Sequence, residues 1–182
     1  MIVLVGESAS GKSSIERYLV ENYGYNKIVS YTTRSPRQNE RNGVDYNFIT
    51  TEQFKELKEI GYFAETATYN GWYYGVAKVD CTDDKVAVLT PHGLRQISKI
   101  NGIDIISFYI NVPRRDRLIK ILQRGDDIEE SYRRNLSDVG QFDGIEDEVD
   151  FVINNDGYEK PIAEMAMKIH MLINVDKIND GE

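Results

Sequence analysis

Four apolar residues, Ile2-Val3-Leu4-Val5, run straight into Gly6-Glu7-Ser8-Ala9-Ser10-Gly11-Lys12-Ser13. This is a complete G-x-x-x-x-G-K-S/T loop set between a buried-strand segment and a helical one, and no other stretch restricts the fold as strongly. Such a loop turns successive backbone N–H groups inward around a polyphosphate, and the helix behind it adds the positive end of its dipole. Lys12 supplies a charge for the outer phosphates, and the Ser13 hydroxyl is placed to ligate Mg²⁺. Gly6, Ser8, Ala9, Ser10, Gly11, Lys12, Ser13 and Ser14 are therefore the candidate nucleotide-binding residues. A purine nucleoside triphosphate is the expected ligand.

The 182 residues suit one α/β domain. A formal net charge of −8 argues against nucleic acid or an anionic membrane as the main partner, since both are bound through excess Lys and Arg. Phosphate chemistry must then rest on a few placed cations. Cys81 is the only cysteine, which rules out a disulfide within the chain, and two histidines beside it cannot build a Cys/His metal cage. No apolar stretch approaches the roughly 18 residues of a membrane span, and no signal-peptide pattern precedes the first strand. The expected location is the cytoplasm.

Ile15, Leu19 and Val20 mark one face of a helix that Tyr23-Gly24 ends, and Ile28-Val29 reads as a short buried strand delivering Ser30. From Tyr31 to about Val79 the chain turns rich in Tyr, Thr, Asn and Arg. Within it, Thr50-Thr51-Glu52-Gln53 resembles a capping box opening a helix to Ile60, and Asn70-Gly71 between two Tyr-rich runs signals a hairpin. Val86-Ala87-Val88-Leu89 returns to strand composition, and Thr90-Pro91 is a helix start. A strand over Ile103 to Ile110, a helix from Arg114 to Gln123 and a strand at Phe151-Val152-Ile153 follow; Ile162, Met165, Ala166, Ile169 and Ile173 share one face of a closing helix. The charged stretch from Arg124 to Asp138 reads as a mobile surface element. The expected fold is a P-loop three-layer α/β/α domain with a mainly parallel sheet. Its core spans 1–30, 82–123 and 141–182, with an inserted α+β subdomain at 31–81 and a short lid at 124–140.

A second anion site lies in the insert. Arg34 and Arg37, with Pro36 stiffening the turn between them, can fork onto one phosphate. Tyr46 and Tyr74 can donate phenolic hydrogen bonds to it, and Glu65 is suited to a donor-rich base edge because a carboxylate accepts two hydrogen bonds side by side. Together these groups describe a pocket for a nucleoside monophosphate.

Here the chain resembles the guanylate kinase family over nearly its whole length. Val29-Ser30-Tyr31-Thr32-Thr33-Arg34, Pro36-Arg37, Glu40, Gly43, Asp45-Tyr46, Phe48, Glu65, Gly71, Tyr73-Tyr74-Gly75, Arg124-Gly125, Glu129-Glu130-Ser131 and Asn155-Asp156 match the family pattern in order and spacing. The resemblance implies that Ser30, Arg34, Arg37, Tyr46 and Tyr74 bind the acceptor monophosphate and that Glu65 reads guanine. It implies that Arg124 reaches the triphosphate from the lid and that Asn155 lies near the adenine of ATP. Lys12, Arg34, Arg124 and Arg134 are the implied catalytic cations. The implied reaction is transfer of the γ-phosphoryl group of MgATP to GMP or dGMP.

The pattern is incomplete around base and metal. Val88 and Thr90 stand where the family usually carries aspartates, leaving Ser13, phosphate oxygens and water for Mg²⁺. Val76 replaces a hydroxyl that helps recognise guanine, Lys120 replaces an arginine, and Asn135 falls at an expected arginine that Arg134, one residue earlier, is the candidate to replace. Two alternatives remain open on these grounds: a kinase of the same fold acting on another phosphorylated small molecule, and a non-catalytic protein-binding module. Monomer and homodimer are equally compatible with the sequence.

Overall fold

A computed structural model describes residues 1–36, 40–69, 71–125 and 128–179. Five strands form one parallel sheet in the order β2-β7-β1-β8-β9, with β1 at Ile2–Val5, β2 at Asn26–Lys27, β7 at Lys85–Leu89, β8 at Ile106–Asn111 and β9 at Phe151–Asn154. Side chains of β1 alternate between the faces, as a period of two demands. Ile2 and Leu4 pack with Ile15 and Leu19 of α1 (Lys12–Tyr23) and with Met165, Ile169 and Ile173 of α6 (Ile162–Asn179). Val3 and Val5 pack on the opposite face with Leu94 and Ile97 of α3 (Pro91–Ile97) and with Ile145. Helices thus cover both faces of a parallel sheet, giving the three-layer α/β/α arrangement. No helix among the described residues is long and apolar enough to cross a membrane.

A second sheet, in the order β4-β3-β6-β5, is built from the middle of the chain: β3 (Tyr31–Thr32), β4 (Asn47–Phe48), β5 (Phe63–Tyr69) and β6 (Trp72–Ala77). β5 and β6 form the expected hairpin, closing with Tyr69 opposite Trp72. α2 (Thr51–Glu59) starts at the expected capping box, with Thr50 and Gln53 bonding reciprocally. Its Phe54 stacks on Phe63 at 4.6 Å between ring centroids. The two sheets are tied through α3: the Gln96 side chain accepts from the Thr66 N–H and donates to the Thr66 carbonyl.

Two local expectations shift. The strand expected at Ile28-Val29 is β2 at Asn26–Lys27; the Ile28 N–H still donates to the Val86 carbonyl, so the chain leaves the sheet just there. β8 begins at Ile106 rather than Ile103, because the residues before it lie beyond the end of β1, where Met1 accepts the Ile106 N–H. The charged stretch expected as a mobile surface element carries α5 (Ile128–Asp138), a helix that buries Ser131 and Asn135; it follows α4 (Arg114–Arg124). Exposed charges and a few small polar residues facing inward conceal that packing from an apolar-periodicity count.

Candidate active site

The loop between β1 and α1 approaches its neighbours so closely that a Cβ on Gly6 would lie 2.7 Å from both the Ile110 carbonyl oxygen and Ser10 Oγ. Gly11 caps α1 in the left-handed region at φ 100°, and Ala9, a non-glycine, is held at φ 67°. Strain of that kind persists where surrounding contacts over-determine it. Here the Tyr158 hydroxyl donates to the Ala9 carbonyl at 2.7 Å. The first helical N–H groups, those of Lys12 and Ser13, have no carbonyl one turn back and point into the loop. Ser13 is exposed and offers a hard oxygen suited to Mg²⁺, while no cluster of three acidic, histidine or cysteine side chains forms among the described residues.

Lys12 is folded back on the loop, donating to the Glu7 carbonyl at 2.8 Å and to Ser10 Oγ at 3.3 Å. Burial lowers its ammonium to about 8, with Asp138 and Glu7 acting in the opposite direction. A carboxylate already sits against the cradle: Asp138 Oδ2, from the end of α5, accepts the Ser8 N–H at 2.8 Å. Arg117 of α4 is buried beneath the loop. It bonds the Ser8 carbonyl and Glu7 Oε1, lies 3.9 Å from Asp138, and anchors to the Val112 carbonyl. Sequence reading missed Arg117 and Asp138. A buried arginine in an otherwise charged helix has no local signal, because what distinguishes it is a partner more than 100 residues away.

Beside the loop lies a cavity of about 610 Å³ bordered by Ser13, Lys120, Arg134, Asn155, Tyr158 and Ile162. Lys120 lies over the Tyr158 ring at 5.2 Å. Asn155 is only 1% exposed, and its amide both accepts the Lys160 N–H and donates to the Lys160 carbonyl. Asn155 therefore shapes the wall of this cavity by bracing the turn after β9. The Arg124 side chain lies outside the described residues.

On the insert, Arg34 is 8% exposed and forms a bidentate pair with Glu40 at 2.8 and 2.9 Å. Its guanidinium lies 5.4 Å from the Tyr46 ring and donates a hydrogen bond to the Tyr74 hydroxyl oxygen; the Glu40 carboxylate, and after it this bond, help hold its pKa up. Tyr46 and Tyr74 meet edge to face at 6.1 Å. Arg34, Tyr46 and Tyr74 are thus gathered as the sequence suggests, and Ser30 stands at the entrance to the insert, its carbonyl accepting the Asn47 N–H. Arg37 lies outside the described residues. Glu65 is 5% exposed on β5, opposite the fully buried Val76, and burial raises its carboxyl to about 7. Gly93 of α3 leaves its room: a Cβ there would come within 3.1 Å of Glu65 Oε2.

Comparison with known proteins bears on these two sites together. The guanylate kinase family model matches residues 1–171. A guanylate kinase of Trichormus variabilis is 36% identical over 93% of this chain and 88% of its own length, and one of Nitratidesulfovibrio vulgaris is 35% identical over 91% and 83%. The crystal structure of guanylate kinase from Anaplasma phagocytophilum superposes with a TM-score of 0.69 at 24% identity, covering 97% of this chain and 85% of that one, and supports the same fold. With a matching family model over nearly the full chain, relatives above 30% identity and the phosphate loop in place, this chain belongs to the guanylate kinase family.

Proposed function

We propose that the protein transfers the γ-phosphoryl group of MgATP to GMP or dGMP, giving ADP and GDP or dGDP. The observation that carries this reading is the pairing of two unlike cradles. One is a backbone loop around Lys12; the other gathers Arg34, Tyr46 and Tyr74, with the enclosed carboxyl of Glu65 on the same insert. Little covalent chemistry is asked of such a site. Alignment of two phosphates and neutralisation of charge on the transferred group account for most of the catalysis.

In this reading the loop amides, Lys12 and Ser14 hold the triphosphate. Ser13 would hold Mg²⁺ together with phosphate oxygens and water, and the ion would supply charge neutralisation at those oxygens. Ser30, Arg34, Arg37, Tyr46 and Tyr74 fix the acceptor phosphate so that one of its oxygens faces the γ-phosphorus in line. Glu65, once ionised, accepts from the two N–H donors of a guanine edge. Arg124 and Arg134, from α4 and α5, bring positive charge over the transferred group, and the two nucleotides exclude water as the insert and lid region, 31–81 and 124–140, close on them.

ADP release measured with MgATP and a panel of monophosphates tests this. GMP or dGMP is expected to lead in kcat/KM. Another monophosphate or a phosphosugar ahead by a large factor would move the assignment to a different acceptor on the same fold, and absence of both turnover and nucleotide binding would leave a protein-binding module.

A further inference from the structure

α1 carries a carboxylate that none of the contacts above uses. Glu16 stands one helical turn beyond Lys12 and Ser13 and is 8% exposed. Glutamate rarely reaches that burial without a partner. No hydrogen bond or ion pair among the described residues engages Glu16. Burial pushes its carboxyl up to about 7, opposed only by the through-space charge of Lys27.

The helix packs against β7 and β2. Lys27 lies on β2 and is paired in register with Val86 of β7. Val88 of β7 packs into the cluster containing Ile15 and Leu19 of the same helix. From the insert, the Tyr46 phenol senses the charge of Glu16 together with those of Arg34 and Glu40. Residues three apart on a helix have Cβ atoms about 5–6 Å apart, which sets Glu16 beside Ser13. A helical side chain also leans toward the preceding turn, which here carries Ser13.

Other anions near the loop are already engaged. Glu7 is bonded by Arg117 and Tyr109, and Asp138 by the Ser8 N–H. β7 offers no carboxylate at its end: Val88 is apolar, and the Thr90 hydroxyl accepts the Gly93 N–H to cap α3. A buried carboxylate with no cation is costly and becomes favourable when one arrives. Magnesium keeps several of its waters in protein sites and is held through few carboxylates. We propose that Glu16, from the helix, accepts hydrogen bonds from the waters of the Mg²⁺ that Ser13 would ligate, and so takes the place of a strand carboxylate in holding the ion. This rests on the MgATP reading given above.

Calorimetric titration of ATP into the full chain, in EDTA and over a series of Mg²⁺ concentrations, tests it alongside thermal melting of the unliganded protein. In Glu16→Gln the Mg²⁺ concentration that gives half of the metal-dependent tightening is expected to rise about tenfold or more. ATP binding in EDTA should stay within twofold of wild type, and Tm should be equal or higher, because an uncompensated buried charge has been removed. Moving the carboxylate to the strand, in the double variant Glu16→Val with Val88→Asp, is expected to recover the wild-type Mg²⁺ requirement. A Glu16→Gln metal curve within twofold of wild type overturns the proposal, as does a lowered Tm with that curve unmoved, the signature of a purely structural carboxyl. Wild-type protein that binds no MgATP overturns the phosphoryl-transfer reading as well, whereas MgATP binding with an unmoved variant curve removes this inference alone.

Discussion

The two cradles solve the same problem, holding positive groups ready for a phosphate, with opposite wiring. On the insert, Arg34 is held by Glu40, six residues away, and framed by Tyr46 and Tyr74. At the loop, the corresponding carboxylate is Asp138, 130 residues from the Ser8 amide it engages, and Arg117 reaches in from α4. Glu40 is local and fixes the guanidinium in shape. Asp138 arrives on a separate helix and occupies an amide that a phosphate would need. One cradle is preorganised by its own segment, whereas the other is completed by two helices from a distant part of the chain.

The largest expected effect separates loop from insert by charge alone. Lys12→Ala should lower kcat by about 10²–10³-fold, the loss typical of removing one preorganised electrostatic stabiliser. A coupled ADP assay at saturating GMP measures it, and retention of more than a tenth of wild-type turnover would break the assignment of Lys12 to the transferred phosphate. Next comes Arg34→Lys, which keeps the charge but loses the two-pronged geometry with Glu40 and the acceptor phosphate. Acceptor kcat/KM should fall about tenfold or more while the KM for ATP stays within twofold. Equal damage to both would mean that the insert and the loop are not separable units.

Glu65 sharpens the comparison through pH. Only the ionised carboxylate can accept from two guanine N–H groups, and burial holds this carboxyl at about 7 in the unliganded protein. The competent fraction rises with pH, so acceptor KM should be about tenfold higher at pH 6 than at pH 8. Glu65→Gln shares the titration of the acceptor's own phosphate, and the difference between the two profiles isolates Glu65. Stability has the opposite sign. A carboxyl raised on folding stabilises fully below its unfolded value of 4.5 and loses that contribution as pH rises through about 7. Tm of the wild type should therefore decline from pH 5 to pH 8 relative to Glu65→Gln, and parallel curves would place Glu65 in a more hydrated setting.

Legibility in the sequence followed the same division. The loop, the α2 capping box, the 63–77 hairpin and the Thr90-Pro91 helix start are each encoded by residues within a few positions of one another, and each is found where the local chemistry puts it. The gathering of Arg34, Tyr46 and Tyr74 was readable because all three belong to the family pattern, although Tyr74 is far along the chain and reaches Arg34 through the pairing of β3 with β6. Arg117, Asp138 and the inward side of α5 were not readable. Their roles depend on which distant helix packs beneath the loop, and a charged helix with two small buried polar residues looks solvated in sequence. Asn155 falls between these cases: the resemblance sets it near the adenine of ATP, and it borders the cavity beside the loop while its amide binds the Lys160 backbone.

The smallest expected effect is the one that tests the unlike wiring most directly. Asp138→Asn keeps the size of the side chain but removes the negative charge that engages the Ser8 N–H and lies near Arg117 and Lys12. In the unliganded protein this should cost about 1 kcal/mol, the weight of one charge-assisted hydrogen bond at a partly exposed position, visible as a lower Tm. ATP should nevertheless bind about threefold more tightly by calorimetry, because the phosphate no longer displaces an anion from the amide it needs, and RT ln 3, about 0.65 kcal/mol, is within that hydrogen-bond term. Opposite signs in the two measurements follow only if Asp138 stabilises the empty loop at the nucleotide's expense. Loss of both stability and affinity would instead make Asp138 a permanent brace, wired as Glu40 is to Arg34, and the contrast between the two cradles would disappear.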